Sequence, residues 1–302
     1  MLQFLVGTNI GFMKFRKYAY VFSSTLVVAT VVWLVMHGGP RYSVDFTGGT
    51  LIQVRTSRAV HVDDMRKAVD EAGFQGAEIQ QSGAGDEYLI RLAVQQRDPF
   101  PRIKAAVESR FSGVQAELRR EESVGPKVGK ELQSRAIWAV LGSLAGILLY
   151  VGIRYEFKYA FGAVVALFHD VFVTLGVLCF AGREVSLTVV AALLTIAGYS
   201  VNDTIVVFDR IRERSKALRK ETHSRVMDIS INETLSRTII TSLTVFMTAL
   251  ALLIWGGEVL HDFSLAMVLG VGFGTYSSVY VASALALDSW IALDRRKGIQ
   301  AQ

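Results

Sequence analysis

Long apolar segments dominate the hydrophobic pattern of this chain. A helix needs about 20 mostly apolar residues to cross the hydrocarbon core of a bilayer. Six segments have that length and composition: Tyr18–Met36, Ala136–Ile153, Tyr159–Ala181, Leu187–Phe208, Thr238–Trp255 and Phe263–Leu287. The pattern therefore predicts a polytopic α-helical membrane protein with six transmembrane helices.

The first segment is predicted to stay in the mature protein. It is longer than the apolar core of a typical signal peptide. His37-Gly38-Gly39-Pro40 follows it, where a small-residue cleavage site would stand in a secretory signal. We therefore expect an uncleaved first helix.

A different pattern fills the stretch between the first two segments. Apolar and polar residues alternate with the period of a strand at Thr50–Arg55, Ala77–Gln81, Tyr88–Val94 and Val114–Leu118. Helical spacing appears through Val62–Ala72 and again at Ile103, Val107 and Phe111. The order strand–helix–strand–strand–helix–strand predicts a small ferredoxin-like α+β domain. Gly83 and Gly85, within Ser82–Glu87, are expected to form the turn between the middle strands.

These patterns divide the chain into four parts. Residues 1–37 hold the N-terminus and the first helix, 38–135 the α+β domain, 136–293 helices two to six, and 294–302 a polar tail.

The basic residues predict the orientation in the membrane. Lysine and arginine concentrate in four short segments, at Lys14–Lys17, Arg154–Lys158, Arg210–Arg225 and Arg295–Lys297. The intervening loops carry only Arg183 or, in Gly256–Asp262, none. Basic loops remain in the cytoplasm, so we expect both termini to be cytoplasmic. The α+β domain is then expected on the opposite side of the membrane from the cytoplasm.

Composition excludes several classes of function. The net charge is +5, but the basic residues flank apolar segments, which indicates membrane orientation and not nucleic-acid binding. No glycine-rich phosphate loop and no set of residues with metal-ligand spacing occurs. The sequence therefore predicts no enzyme activity, no cofactor and no metal site.

Asp203 is the first candidate for chemistry, because a charged side chain in a membrane helix is costly. Ser200, Asp203 and Thr204 share one helical face, and Asn202 adjoins them. A carboxylate held away from water is suited to exchange protons. The alternative is an aspartate at the helix end that reaches the interface.

His169 and Asp170 stand together in the third segment. Histidine changes charge near neutral pH, so the pair is a candidate proton-relay element. An interhelical hydrogen bond that only fixes packing is the alternative.

Arg237 starts a polar stripe on the fifth segment. Thr241, Thr244 and Thr248 follow it on the same face. If Asp203 faces it, Arg237 is predicted to act as a counter-ion. The alternative is a flanking arginine with threonines that hydrogen-bond to their own helix. In the sixth segment, Gly270 and Gly274 have the spacing that lets helices approach closely.

Four motifs carry a family resemblance. They are Gly198–Glu213 (GYSVNDTIVVFDRIRE), Asn232–Thr238 (NETLSRT), Asp45–Thr50 (DFTGGT) and Glu122–Pro126 (ESVGP). Together they resemble the signature of the SecF family of protein-export membrane proteins, over nearly the whole chain.

That resemblance implies a membrane fold similar to that of resistance–nodulation–division transporters. It implies a partner, SecD, which completes a pseudo-symmetric twelve-helix unit, and association with the SecYEG channel and YajC. The unit would act on translocating unfolded polypeptide, driven by the proton gradient. Asp203 and Arg237 match family positions implicated in proton conduction, whereas the family does not settle His169 and Asp170.

The mechanism expected from the sequence is proton exchange at Asp203, biased by Arg237, which moves helices and with them the periplasmic domain. Two rival functions remain. One is an assembly factor that stabilises the translocon without transport; the other is half of a small-molecule proton antiporter.

Overall fold

A computed structural model describes residues 7–82, 85–93, 98–155 and 157–296. Its first elements are α1 (Arg16–Met36), α2 (Val44–Thr47), β1 (Gly49–Thr56), α3 (Val62–Glu71), β2 (Glu78–Ser82), β3 (Glu87–Leu92), α4 (Pro99–Arg110) and β4 (Ala116–Val124). There follow α5 (Pro126–Arg154), α6 (Phe157–Phe180), α7 (Leu187–Ala217), α8 (His223–Trp255), α9 (Glu258–Ser277), a π-helical turn (Ser278–Ala282) and α10 (Ser283–Arg296). The chain divides into two compact units, Tyr42–Trp138 and the remainder.

The first unit is the α+β domain. Its four strands form an antiparallel sheet in the order β2-β3-β1-β4, and the predicted succession of strands and helices is confirmed. Apolar side chains of the sheet, such as Ile52 and Ile90, pack with Met65 of α3 and Ile103 of α4, and all four are fully buried. The predicted turn residue Gly83, the strand residue Val94 and the tail beyond residue 296 lie outside the described residues.

Two glycines set the start of β1. Gly48 and Gly49 have φ angles of +73° and +116°, which other residues rarely adopt. A Cβ on Gly48 would lie 2.8 Å from Pro126 Cα, and one on Gly49 would lie 2.4 Å from the Leu92 carbonyl oxygen. This part of the DFTGGT motif is therefore required by close backbone packing within the domain.

The second unit holds the membrane helices. Six helical spans among the described residues are long and apolar enough to cross a bilayer, as predicted: Phe12–Met36, Pro126–Arg154, Tyr159–Phe180, Leu187–Ala217, His223–Trp255 and Val259–Arg295. Several extend beyond the apolar segments, because turns rich in polar residues continue the helices at their ends, as after Phe208 in α7.

Burial separates central from peripheral spans. Within an apolar stretch of 18 residues in each span, half or more of the residues are buried in the third, fourth and sixth spans (56%, 50% and 56%), against 17%, 6% and 17% in the first, second and fifth. Helices α6, α7 and α9 therefore form the centre of the unit, and α1, α5 and α8 present most of their surface outward.

The sixth span is not a uniform α-helix. The π-helical turn Ser278–Ala282 interrupts it between α9 and α10. Ser283 Oγ donates a hydrogen bond of 2.9 Å to the Ser278 carbonyl oxygen, five residues earlier. A side chain thus satisfies an acceptor at a turn where the regular backbone pattern is broken.

Candidate functional site

Two carboxylates lie buried among the central helices. Asp170 on α6 is 0% exposed and Asp203 on α7 is 5% exposed. A buried carboxylate needs hydrogen-bond donors to offset its lost hydration. In this unit, hydroxyl groups supply those donors.

Asp170 accepts two short hydrogen bonds through Oδ2. Ser200 Oγ of α7 donates one of 2.5 Å, and Ser277 Oγ at the end of α9 donates one of 2.6 Å. These lengths are at the short end of the range for hydroxyl donors. Three helices therefore meet at this carboxylate.

Asp203 also accepts hydrogen bonds from two hydroxyl groups. Thr238 Oγ1 of α8 donates a hydrogen bond of 2.8 Å to Oδ1, and Ser278 Oγ of the π-helical turn donates one of 2.5 Å to Oδ2. The predicted face of Ser200, Asp203 and Thr204 is buried. The hydroxyl of Ser200, however, reaches Asp170.

Adjacent serines thus contact the two carboxylates: Ser277 binds Asp170 and Ser278 binds Asp203. Reasoning from sequence missed both serines, and also Thr238. The available signal was a pair of consecutive hydroxyl residues within the sixth apolar segment.

His169 extends the site toward α1. Its Nδ1 lies 2.9 Å from Asp170 Oδ1, and its buried Nε2 has no hydrogen-bond partner within the described part of the chain. The ring centroids of His169 and Tyr276 are 6.2 Å apart, and the Tyr276 hydroxyl lies 3.1 Å from Ser23 Oγ of α1. The predicted pair is therefore buried and in contact, with one nitrogen still unsatisfied.

Arg237, the predicted counter-ion, makes no direct contact with Asp203 among the described residues. It is exposed on α8 and forms no ion pair within 4.0 Å among the described residues, although its charge lies within electrostatic range of Asp203. The neighbouring Thr238 makes the contact with Asp203 because successive helical residues point about 100° apart.

The threonines that follow Arg237 along α8 are also exposed. Thr241, Thr244 and Thr248 each donate to a carbonyl oxygen of α8 itself, over 2.8–3.0 Å. This geometry agrees with the alternative interpretation, in which the threonines hydrogen-bond to their own helix. Asn202, predicted to support Asp203, is exposed on α7.

The remaining motif residues join the helix ends. Glu233 of α8 accepts hydrogen bonds from Arg210 and Arg214 of α7 over 2.5–2.7 Å. Asp209 accepts one of 3.0 Å from the Tyr155 hydroxyl, and burial together with this bond raises the pKa of Tyr155. The Glu233 contacts join α7 to α8, and the Tyr155 contact joins α7 to the residue that follows α5.

The arrangement is suited to holding and releasing protons. It combines two buried carboxylates, an imidazole and hydroxyls that both donate and accept. Among the described residues, no group of three His, Cys, Asp or Glu side chains is placed to bind a metal ion.

Comparison with known proteins gives consistent matches. The family model of the protein export membrane proteins SecD/SecF, C-terminal region, matches residues 103–291, and the SecD/SecF GG motif matches residues 33–60. Protein translocase subunit SecF of Vibrio alginolyticus is 46% identical over 299 residues, covering 95% of this chain and 92% of that protein. The SecF subunit of Thermodesulfovibrio yellowstonii is 42% identical, covering 95% and 97%.

A solved structure resembles the whole chain. The crystal structure of SecDF, a translocon-associated membrane protein from Thermus thermophilus, is 39% identical with a TM-score of 0.85. The match covers 97% of this chain but only 40% of the SecDF chain.

Proposed function

This chain belongs to the SecD/SecF family of protein-export membrane proteins, and we propose that it is the SecF-type half of a proton-driven unit that assists the Sec translocase. The single observation that carries the proton-driven part is Asp203, a carboxylate buried inside a membrane helix and held by two hydroxyls from two other elements. A carboxylate is costly to bury in a membrane helix, so its presence there supports a functional role.

Asp203 exchanges the proton in this proposal, and Arg237 biases its charge from the outward face of α8. Asp170 and His169 form an inner part of the relay. Protonation removes a charge from the contact between α7, α8 and the π-helical turn, so these helices repack. Each elementary charge that crosses 100 mV supplies about 2.3 kcal/mol for the work.

A SecD-type partner completes the unit. The exposed stripe of Arg237, Thr241, Thr244 and Thr248 is an unfavourable surface for lipid, since guanidinium groups are costly in hydrocarbon. A second six-helix protein packed on α8 would cover the stripe and leave a narrow polar path beside Asp203. The larger size of the solved SecDF chain is in keeping with this.

We place the protein in the bacterial inner membrane with both termini in the cytoplasm. The basic segments at Lys14–Lys17 and Arg210–Arg225 support that orientation. The α+β domain is then periplasmic, where it meets unfolded polypeptide leaving the SecYEG channel, with YajC as a further partner. In this proposal, movement of the membrane helices moves the domain, which stands between the first two membrane spans in the chain.

The deciding experiment is Asp203→Asn in vesicles that contain the partner subunit and the channel. The variant keeps the shape of the side chain but removes its exchangeable proton. We expect gradient-dependent export and proton flux to be lost while the complex still assembles. Asp262→Asn is the matched control. Asp262 forms an ion pair with Arg183 and makes no contact with Asp203 among the described residues, so this variant should retain both activities.

The second candidate, an assembly factor without transport, makes a different prediction. It requires Asp203→Asn to support export as well as the original chain does, with no proton flux in either. That result would overturn the proton-driven proposal, whereas loss of flux with intact assembly would exclude the assembly factor.

A further inference from the structure

We propose that Ser277 and Ser278 are positioning residues that couple Asp170 to Asp203, so that the protonation of one carboxylate alters the hydrogen bonding of the other. The inference rests on the proposed role of Asp203 in proton exchange. It assigns a function to the π-helical turn.

Each serine hydroxyl has two acceptors within reach. Ser278 Oγ lies 2.5 Å from Asp203 Oδ2 and 3.1 Å from the Thr275 carbonyl oxygen. Ser277 Oγ lies 2.6 Å from Asp170 Oδ2 and 3.1 Å from the Gly274 carbonyl oxygen. A hydroxyl carries one proton, so it donates mainly to one of the two. The shorter distances to the carboxylates indicate that both hydroxyls donate mainly to them in this structure.

Protonation of Asp203 changes this preference. A carboxylate only accepts hydrogen bonds, whereas a carboxylic acid must also donate one. Ser278 is then better placed as the acceptor of the Asp203 proton, and its own hydrogen turns to the Thr275 carbonyl oxygen. The contact between α7 and the π-helical turn changes from charge-assisted to neutral and weakens.

The π-helical turn connects the altered Ser278 contact to Asp170. Ser277 is the last residue of α9 and Ser278 is the first of the turn, so one peptide unit joins the two contacts. Both side chains are fully buried, and the Ser283 hydroxyl holds the turn in place through the Ser278 carbonyl. A shift of the backbone at Ser278, as its contact with Asp203 weakens, is therefore carried directly to Ser277.

A second connection runs through α7. Ser200, which donates to Asp170, stands one helical turn before Asp203. Among the described residues, Arg237 of α8 and Tyr199 of α7 are the other ionisable groups within electrostatic range of Asp203, and His169 of α6 lies beside Asp170. The two carboxylates are thus joined by two structural links.

The test combines infrared spectroscopy with proton flux in vesicles that contain the partner subunit. Carboxyl bands are assigned with Asp170→Asn and Asp203→Asn. In the original chain, we expect Asp203→Asn to alter the band of Asp170. In the Ser277→Ala or Ser278→Ala background, that response should shrink, and flux should fall about tenfold or more, since hydrogen bonds to charged groups are among the strong ones.

Ser264→Ala is the matched control. Ser264 is fully buried on α9, but its hydroxyl donates to the Leu260 carbonyl oxygen and, among the described residues, to no carboxylate. It should leave both flux and the Asp170 response unchanged. Ser278→Thr keeps the hydroxyl and should restore the response lost in Ser278→Ala, which a purely structural role of the serine would not require.

The outcomes separate the two proposals. If Asp203→Asn retains flux, the proposed function fails. If Asp203→Asn abolishes flux but Ser277→Ala and Ser278→Ala both behave like Ser264→Ala, the function stands and the coupling is overturned. A reduced Asp170 response in the two alanine variants, with assembly intact, supports the coupling.

Discussion

Thr238 Oγ1 donates a hydrogen bond of 2.8 Å to Asp203 Oδ1 and so ties α8 to the buried carboxylate of α7. Thr238 is itself buried, whereas the arginine before it in sequence faces outward. A neutral donor thus holds Asp203 within the chain, and the charged group is left on the surface where a partner would pack.

The first prediction concerns Thr238→Val, which keeps the shape of the side chain and removes the donor. Asp203 then retains one of its two hydroxyl donors in the described structure. A hydrogen bond to a charged group contributes about 1.5–3 kcal/mol, which is tenfold or more in an equilibrium. We expect proton-dependent export to fall about tenfold, measured in vesicles with the partner subunit present.

Thr234→Val is the control for that measurement. Thr234 lies one turn earlier on α8, and its hydroxyl donates only to carbonyl oxygens of its own helix. Its replacement should leave export near the original level. Equal losses in the two variants would show that the Thr238 hydroxyl has no particular role at Asp203.

Much of the fold follows from two periodicities. Apolar length alone identifies the six membrane spans, because lipid leaves few other ways to satisfy the backbone. The alternation at Tyr88, Ile90 and Leu92 identifies β3, because one face of that strand is buried. Asp203 and Asp170 stand out for an equally general reason, the cost of a charge in hydrocarbon.

The hydrogen-bond donors to those carboxylates were harder to predict from the sequence. Ser277 and Ser278 both face the site because a π-helical turn changes the helical register there, and nothing in the local sequence specifies that turn unambiguously. Thr238 and Arg237 differ by one helical position, about 100° of rotation, which only the packing of α8 on α7 decides. Sequence therefore identified the carboxylates that are costly to bury, and of their four hydroxyl donors it identified only Ser200.

The second prediction concerns Gly274, which leaves room for the contact between Ser200 and Asp170. A Cβ at this position would lie 3.3 Å from Ser200 Cβ and 3.7 Å from Asp170 Oδ2. Gly274→Ala should therefore be tolerated with a small shift, whereas Gly274→Val overfills the site and should cost about 1–3 kcal/mol of stability. Thermal unfolding of the purified chain in detergent measures the difference.

Gly272 provides the comparison on the same helix. No atom lies within 4 Å of a Cβ built there. Gly272→Val should unfold near the temperature of the original chain. If it unfolds as early as Gly274→Val, the loss reflects valine in the helix and not the packing around Asp170.

The third prediction concerns Arg55 and Asp86 in the α+β domain. Arg55 Nε donates a hydrogen bond of 2.9 Å to Asp86 Oδ2, which holds the pKa of that carboxyl below its ordinary value of 3.8. A lowered pKa means that the stabilisation is present above pH 3.8 and is lost as the pH falls through the folded value. Arg55→Gln should therefore raise the pKa of Asp86, measured from the carboxyl carbon shift by nuclear magnetic resonance.

Arg119 allows a graded comparison. It acts on Asp86 only through its charge, and it is the weakest of the influences on that carboxyl. Arg119→Gln should raise the pKa of Asp86 by less than Arg55→Gln does. Equal rises would mean that general charge, and not the hydrogen bond, sets the titration of Asp86.

The last prediction concerns Gly49, where β1 begins beside β3. A Cβ there would lie 2.4 Å from the Leu92 carbonyl oxygen, in a ladder where Thr50 pairs with Leu92. Gly113 also has a positive φ, +78° against +116°, but open space around its Cβ direction. Both alanine variants place a side chain at a φ that glycine adopts far more readily, and only Gly49→Ala adds the collision. In the full chain, hydrogen exchange should therefore show faster opening of β1 and β3 in Gly49→Ala than in Gly113→Ala. Equal protection of the two strands in both variants would mean that β3 yields easily, and that close packing is not why this motif contains glycine.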